Sequence, residues 1–404
     1  MHGKSPANAA PVGNVSVFTS KLTPGGDICV GFTILTVVLL SVLGNGLVLV
    51  ISYRRRKKIM GSELLCVNLA LVDFLCCIFF YPLSIISSFS HAWLGYRATC
   101  VYYGLGCFTF GLCGMFTIAA ISVIRYLKTC YSVVYAVWLE GASIRLVCGA
   151  TWVIAAVWSC LPLFGWGEYV PEPYGLSCTI AWKKYHASVK DAVYVICSFA
   201  CFTLVPVLLI ILSQCQILFK VYKFSYVLST RGIHTNLRTA ERRLSVMFFC
   251  ISLGFIIAWA PYTVVSFMSI FNKGSYQMAP EGFVFPALFA KSSHIYNPFI
   301  YFYFNKAFRQ ELRVLLRSLC LTGARNRVGV RSVMGNQVPH VIQIQLQEQS
   351  HIWRNNCQSQ GNSNYAGSNH SHKRAVYPCW VSTVRVTPSS TNPVPARDFL
   401  PLSS

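Results

Sequence analysis

Charge is what this sequence has little of. Only 11% of its 404 residues are charged and 12 are acidic, against roughly a quarter charged in an ordinary soluble domain. That scarcity excludes a water-soluble globule and a solvated disordered chain. Also lacking are a phosphate-cradling glycine loop, a paired-histidine metal motif and a nucleophile elbow, so no enzyme class is indicated. No internal repeat is present, which speaks against a transporter built from inverted halves. The amino terminus has no apolar core of a cleaved signal peptide, and the first apolar helix is expected to act as an uncleaved signal anchor.

What is present is apolar. Hydrophobic residues make up 54% of the chain and the mean hydropathy is +0.51. Seven long runs lie between successive charges. The first is 28–53. The third lies between Arg97 and Arg125, the fourth between Arg145 and Glu168, the fifth between Asp191 and Lys220, and the sixth between Arg243 and Lys273. The second, 64–90, holds one charge, Asp73, and the seventh, 282–305, holds one, Lys291. About 20 apolar residues cross a bilayer as a helix, and a helix satisfies its own backbone there. The expected fold is therefore all-α: a seven-transmembrane helix bundle over 28–305, behind a short outer segment, 1–27.

The net charge of +22 is topological. Arg54, Arg55, Arg56, Lys57 and Lys58 follow the first run, and further basic clusters follow the third, fifth and seventh. Excess positive charge marks the cytoplasmic side, so the amino terminus is expected outside, in a multi-pass protein of the plasma membrane. Attraction to anionic lipid accounts for the basic balance without nucleic acid. Asn14-Val15-Ser16 is a glycosylation sequon on the outer side. Of 18 cysteines, Cys100 and Cys178 alone lie clearly outside, and an oxidising compartment implies that they pair. From Lys306 to Leu319, Phe308, Leu312, Leu315 and Leu316 alternate with Arg309, Arg313 and Arg317. That pattern predicts a short amphipathic eighth helix over 306–320 on the inner leaflet, with Cys320 a palmitoylation candidate. Residues 321–404, rich in Ser, Asn, Gln and Arg, read as a disordered cytoplasmic tail.

Lys291 is the sharpest chemical signal. An ionisable group deep in a membrane span is expensive and points to function. Burial favours a neutral, nucleophilic amine that can condense with an aldehyde. Position alone leaves two structural alternatives, a lysine hydrogen-bonded within the bundle or one paired with Asp73. Other polar or helix-breaking groups recur in the spans: Asn45 between Gly44 and Gly46, Asp73, Arg125 closing the third run, Trp259-Ala260-Pro261-Tyr262, and Asn297-Pro298 with Tyr301.

Taken in order, these motifs resemble the rhodopsin-like family of G-protein-coupled receptors over residues 28–319. A lysine six residues before Asn297-Pro298 resembles the opsins, and Tyr169-Val170-Pro171-Glu172-Pro173 is similar to neuropsin-type non-visual opsins. The resemblance implies retinal held as a Schiff base on Lys291, in a pocket lined by Tyr103, Phe108, Gly111, Ser198, Trp259, Tyr262 and Ala287. It implies the Cys100–Cys178 disulfide, and Glu172 as counterion. Tyr103 stands where vertebrate visual pigments carry a glutamate. Asn45 and Asp73 form a polar site between helices, with Asp73 organising water or sodium. Arg125, Glu241, Asn297, Pro298 and Tyr301 form the switch toward a heterotrimeric G protein, with arrestin and a receptor kinase as further partners. Ile124 stands where the family has an acid before Arg125, so Glu241 is expected to be its sole restraint, in a pair partly screened at the cytoplasmic edge. That departure leaves a retinal photoisomerase, or a retinal-binding opsin with weak coupling, as the alternative to a signalling photoreceptor. A receptor for a diffusible ligand is a third reading.

Overall fold

The structure, a computed structural model, describes residues 17–56, 59, 61–139, 142–230, 236–271 and 279–331. The chain divides into two units, Met1–Arg327 and Val328–Ser404. Of the second, residues 328–331 are described, as the last turn of a helix.

The seven spans form in order. The first is α1 (Pro24–Arg54), begun by Pro24 in its first turn and capped by Thr23, whose side chain accepts from the Gly26 N–H. The second is α2 (Ser62–Phe79) followed by α3 (Tyr81–Phe89). Pro82 has no N–H to continue the ladder, so the helix restarts after Phe80. The third is α4 (Tyr96–Cys130), 35 residues long. It packs against α2, against α6 (Ala142–Cys160, the fourth span) and against α8 (Val205–Thr230, in the fifth). A short helix, α5 (Ser132–Trp138), lies between the third and fourth spans. The fifth span is α7 (Val189–Phe199), a π-turn over Ala200–Leu204, and α8 (Val205–Thr230). The sixth is α9 (Asn236–Phe271), with Pro261 inside it.

Six of the spans are continuous helical stretches long and apolar enough to cross a membrane. The seventh run folds as α10 (Glu281–Lys291) and α11 (Ser293–Phe304), divided at Ser292. Ser292 keeps a helical backbone and its N–H still bonds the Leu288 carbonyl at 3.0 Å, while the Ile295 N–H tightens onto the Ser292 carbonyl. Together the two helices cover 281–304, long enough at about 1.5 Å per residue to cross the hydrocarbon core. A further helix, α12, starts at Lys306 as expected and continues to Arg331, past the predicted end at 320. The Cys320 side chain, Asn14 and the tail beyond 331 lie outside the described residues.

The two largest apolar clusters lie in the inner and outer parts of the bundle. The inner one gathers Ile51, Leu65, Ile118, Ile121, Ile124, Phe248, Tyr301 and Phe308. The outer one gathers Ile34, Cys77, Phe80, Tyr81, Trp93, Tyr103 and Leu176. Many large apolar side chains, Phe32, Leu39 and Leu43 of α1 among them, point outward, as lipid-facing residues must. A two-stranded antiparallel hairpin, β1 (Tyr169–Pro171) with β2 (Cys178–Ile180), pairs Tyr169 with Ile180 and Pro171 with Cys178. Gly175 makes its turn at φ +87°, in the left-handed region that favours glycine. Both strands lie against α4.

Candidate functional site

The expected disulfide is present. Cys100, in the first turns of α4, bonds Cys178 at the start of β2, with Cα atoms 5.4 Å apart. It ties the hairpin to the helix bundle. Directly beneath lies a cavity of about 120 Å³. Its wall takes Tyr103, Phe108 and Gly111 from α4, Trp259 and Tyr262 from α9, and Ala287 and Lys291 from α10, with Glu172 and Thr179 of the hairpin above. Sequence reasoning placed all of these there except Thr179.

Ser198 is the exception among the expected lining residues. Its buried hydroxyl accepts the indole N–H of Trp158 at 3.0 Å, away from the cavity. Phe199 and Thr203 supply that wall instead. Phe199 ends α7 and Thr203 lies within the π-turn that follows it. Thr203, inside that turn, donates its hydroxyl to the Ser198 carbonyl at 2.9 Å.

Glu172 is buried in the hairpin, 6% exposed. The Tyr262 hydroxyl donates to its Oε1 at 3.3 Å and also pairs with the Thr179 hydroxyl at 2.8 Å. Burial pushes the Glu172 carboxyl above the ordinary glutamate range. The Lys291 ammonium opposes that rise most strongly, followed by hydrogen bonds from the Ser177, Tyr174 and Tyr262 side chains. Glu172 and Lys291 therefore sense one another across the cavity. The Tyr103 hydroxyl is buried at the same wall and makes no hydrogen bond among the described residues.

Trp259 sits at the floor. Its indole N–H donates to Ser293 Oγ at 3.2 Å, and its ring lies edge-on to Tyr262. Gly111 makes room for it: a methyl there would stand 3.2 Å from the indole tip.

Lys291 does not pair with Asp73. The Lys291 Nζ lies 6.0 Å from the Tyr81 ring centroid, and a histidine takes the carboxylate. His294 Nδ1 is 2.7 Å from Asp73 Oδ1, and Asn297 Nδ2 donates to Oδ2 at 2.9 Å. Protein side chains thus contact both oxygens of Asp73. His294, Tyr81 and Trp182 also border the cavity, and charge counting passed over all three.

Asn45 has its own task. Pro298 lacks an N–H and so leaves the His294 carbonyl without its helical partner; Asn45 Nδ2 donates to that carbonyl at 2.9 Å and to Ser41 Oγ at 3.0 Å. Gly44 is required beside it, since a Cβ there would meet Pro298 Cγ at 2.9 Å.

At the cytoplasmic end, Arg125 is 1% exposed with its guanidinium 5.2 Å from the Phe248 ring centroid. The expected partly screened group is therefore a buried one, covered by the inner ends of the helices. Ile124 packs in the inner cluster, and Tyr301 is buried there too. The Glu241 side chain lies outside the described residues.

The arrangement offers one amine in an aromatic chamber, a buried carboxylate above it and a covalently fastened lid. Residues 44–301 match the family described as 7 transmembrane receptor (rhodopsin family). The chain is 38% identical over 286 residues to Opsin-5 of Homo sapiens, covering 70% of this chain and 80% of that protein. It belongs to the opsins of the rhodopsin receptor family. This opsin is also 30% identical to a G0-coupled rhodopsin of Mizuhopecten yessoensis, covering 79% of each chain. Its fold matches the crystal structure of squid rhodopsin at a TM-score of 0.66 and 22% identity, over 78% of this chain and 92% of that one. The opsin is a multi-pass membrane protein, a non-visual photoreceptor acting through G proteins and not an enzyme.

Proposed function

We propose that this opsin carries retinal on Lys291 and reports light across the plasma membrane, its amino terminus outside. One observation carries the reading: a single lysine amine opens into a cavity walled by aromatic rings, with the buried Glu172 carboxylate on the same cavity. Retinal supplies an isomerisable polyene and an aldehyde that condenses with an amine. Lys291 Nζ provides that amine and holds the proton, and Glu172 stabilises the positive charge there. Tyr262 orients Glu172 through its hydroxyl, and the orphaned Tyr103 hydroxyl offers a further polar contact at the same end. The disulfide-held hairpin excludes water from above.

Trp259 is the mechanical element. It touches the cavity, lies over Gly111 and bonds Ser293. A change in the shape of the cavity contents presses on its ring and moves α9, whose inner part packs over Arg125 through Phe248. Arg125, Glu241, Asn297, Pro298 and Tyr301 form the switch toward the G protein. Arrestin and a receptor kinase are further partners by kinship, and α12 lies on the inner leaflet.

Reconstitution with retinal followed by borohydride reduction and peptide mapping tests the reading. The expected adduct is on Lys291, and Lys291→Ala should form no pigment. An adduct elsewhere, or pigment in that variant, overturns it. The presence of Ile124 where the family has an acid favours a second reading, a photoisomerase with weak coupling. Pigment that forms yet drives no nucleotide exchange in dark or light, across a panel of G proteins, selects that one.

A further inference from the structure

Gln214 lies on α8, in the inner half of the bundle, among polar side chains that the proposed function does not use. Its Nε2 donates to Ser122 Oγ on α4 at 3.1 Å and to Ser252 Oγ on α9 at 3.2 Å. The two hydroxyls are themselves 3.2 Å apart. Three spans thus meet in a closed triangle of hydrogen bonds. All three residues are buried. Within about a turn of them, Ile118, Ile121, Ile210 and Ile251 belong to the inner apolar cluster.

Apolar side chains of the same shape would pack there without needing partners, so stability alone does not call for a polar triangle. Its place on α9 supplies a reason. Phe248, Ser252, Phe255 and Trp259 follow one another at spacings of four, three and four, which puts all four on one helix face. Trp259 touches the cavity and rests on Phe255, with ring centroids 5.7 Å apart. Ser252 comes next along that face, and one turn further Phe248 covers the Arg125 guanidinium. On α4, Ser122 and Arg125 are three residues apart and so share a face as well. The triangle therefore stands between the cavity floor and the arginine, on the path along which α9 would carry a movement.

We infer that Gln214 is a positioning residue for signalling, the catch that holds the inner part of α9 in its resting place through Ser252. The geometry suits a catch that releases. When α9 withdraws, the bond to Ser252 breaks while the bond to Ser122 stays, because α4 and α8 remain together. The amide nitrogen is then never stranded without a partner, a penalty that would otherwise oppose every opening. Parting costs one hydrogen bond, and closing restores it. This inference rests on the reading in which a changed cavity presses on Trp259 and moves α9.

Fluorine resonance on the full-length protein in lipid nanodiscs tests it, with trifluoromethyl-phenylalanine placed at Phe249, a half-buried position of α9 next to Phe248. In the dark and without retinal, the wild type should show one dominant line. Gln214→Leu and Ser252→Ala should each enlarge a second line about three- to tenfold while it remains the minor one, the range expected for one hydrogen bond between membrane helices. The two substitutions together should add little to either alone, because they remove the same bond. Ser252→Thr keeps the hydroxyl and should return the populations toward those of the wild type. If Gln214→Leu does not fold, Ser252→Ala against Ser252→Thr carries the comparison.

No second line in any variant, or rises that multiply in the double variant, overturns the inference. So does a lowered thermal midpoint with unchanged populations, the mark of residues that merely pack. Failure of the photoreceptor reading looks different: after incubation with retinal, light leaves the wild-type lines unchanged, while the dark, retinal-free comparison still reads the catch.

Discussion

The outer and inner halves of this bundle are held by different kinds of bond. Outside, the ties include a covalent bond and backbone bonds, reinforced by side chains. Cys100–Cys178 fastens the hairpin. The Ser20 N–H donates to the His91 carbonyl, the Lys21 N–H to the Tyr174 carbonyl and the Trp93 N–H to the Phe18 carbonyl, which laces residues 18–21 to the first loop and the hairpin. The Ser84 hydroxyl donates to the Leu176 carbonyl at 2.7 Å, and buried Asp27 takes Ser20 and His91. Inside, the cross-links between spans are made by side chains. Gln214 Nε2 donates to Ser122 Oγ at 3.1 Å and to Ser252 Oγ at 3.2 Å, joining α8, α4 and α9. Around this triad lie apolar contacts and the buried Arg125. Backbone ties fix position, whereas side-chain ties can be exchanged for others of equal worth. The chamber end is built to stay and the cytoplasmic end to rearrange.

Breaking the covalent tie should have the largest effect. Cys100→Ala or Cys178→Ala should cost about 2–5 kcal/mol and sharply lower surface expression; thermal unfolding of the purified variants measures it. A loss no greater than that of an inner-half substitution would dissolve the contrast.

Two glycines on α4 sharpen it. A methyl at Gly106 would stand 2.0 Å from Phe80 Cε1, in the outer cluster, while one at Gly114 meets Leu69 and Val72 only at 3.8 Å. Gly106→Ala should cost about 1–3 kcal/mol through overpacking. Gly114→Ala should gain up to about 1 kcal/mol through helix propensity. Equal effects would show that the two halves pack with the same tolerance.

Next in size is a pH effect at Glu172. Burial raises its carboxyl above the ordinary range, so the folded state binds that proton more tightly than the unfolded state. The stability it contributes is complete below the ordinary glutamate value and is lost as pH rises through the raised one. Chemical denaturation of the retinal-free protein should show that decline, and Glu172→Gln should flatten it. The smallest expected change is at the inner end. Ile124→Asp should lower dark nucleotide exchange a few fold, by adding a restraint on Arg125. Unchanged exchange would mean that the existing contacts already hold the arginine.

The seven spans, the disulfide and the amphipathic helix start were legible in the sequence, because each is written in hydropathy, in charge or in the side on which a residue lies; most of the cavity wall was implied only by the resemblance to opsins. Lys291 was legible for the same reason: a charge in an apolar run stands out. His294 was not, since a histidine counts as neutral among apolar neighbours although it holds Asp73 here. Ser198 came from the resemblance alone, and its hydroxyl is instead engaged by the Trp158 indole, a tertiary contact the sequence does not announce. The break at Ser292 was equally silent, as its backbone stays helical and only the hydrogen bonding tightens. The burial of Arg125 depends on the neighbouring helices closing around it, a tertiary fact that a run of apolar residues ending in a charge does not contain.

The proline in α11 has a consequence for motion. Pro298 seats its ring against Gly44, and one turn before it the carbonyl freed by the missing N–H is held by Asn45. These are a tooth in a notch and a tether, both on α1 and both within one turn. Sliding α11 along α1 would unseat the tooth and strand a bare carbonyl in hydrocarbon, whereas rotation about the pair disturbs neither. The seventh span is therefore pinned as an axle is pinned: its inner end, with Tyr301, can swing while its depth in the membrane stays constant.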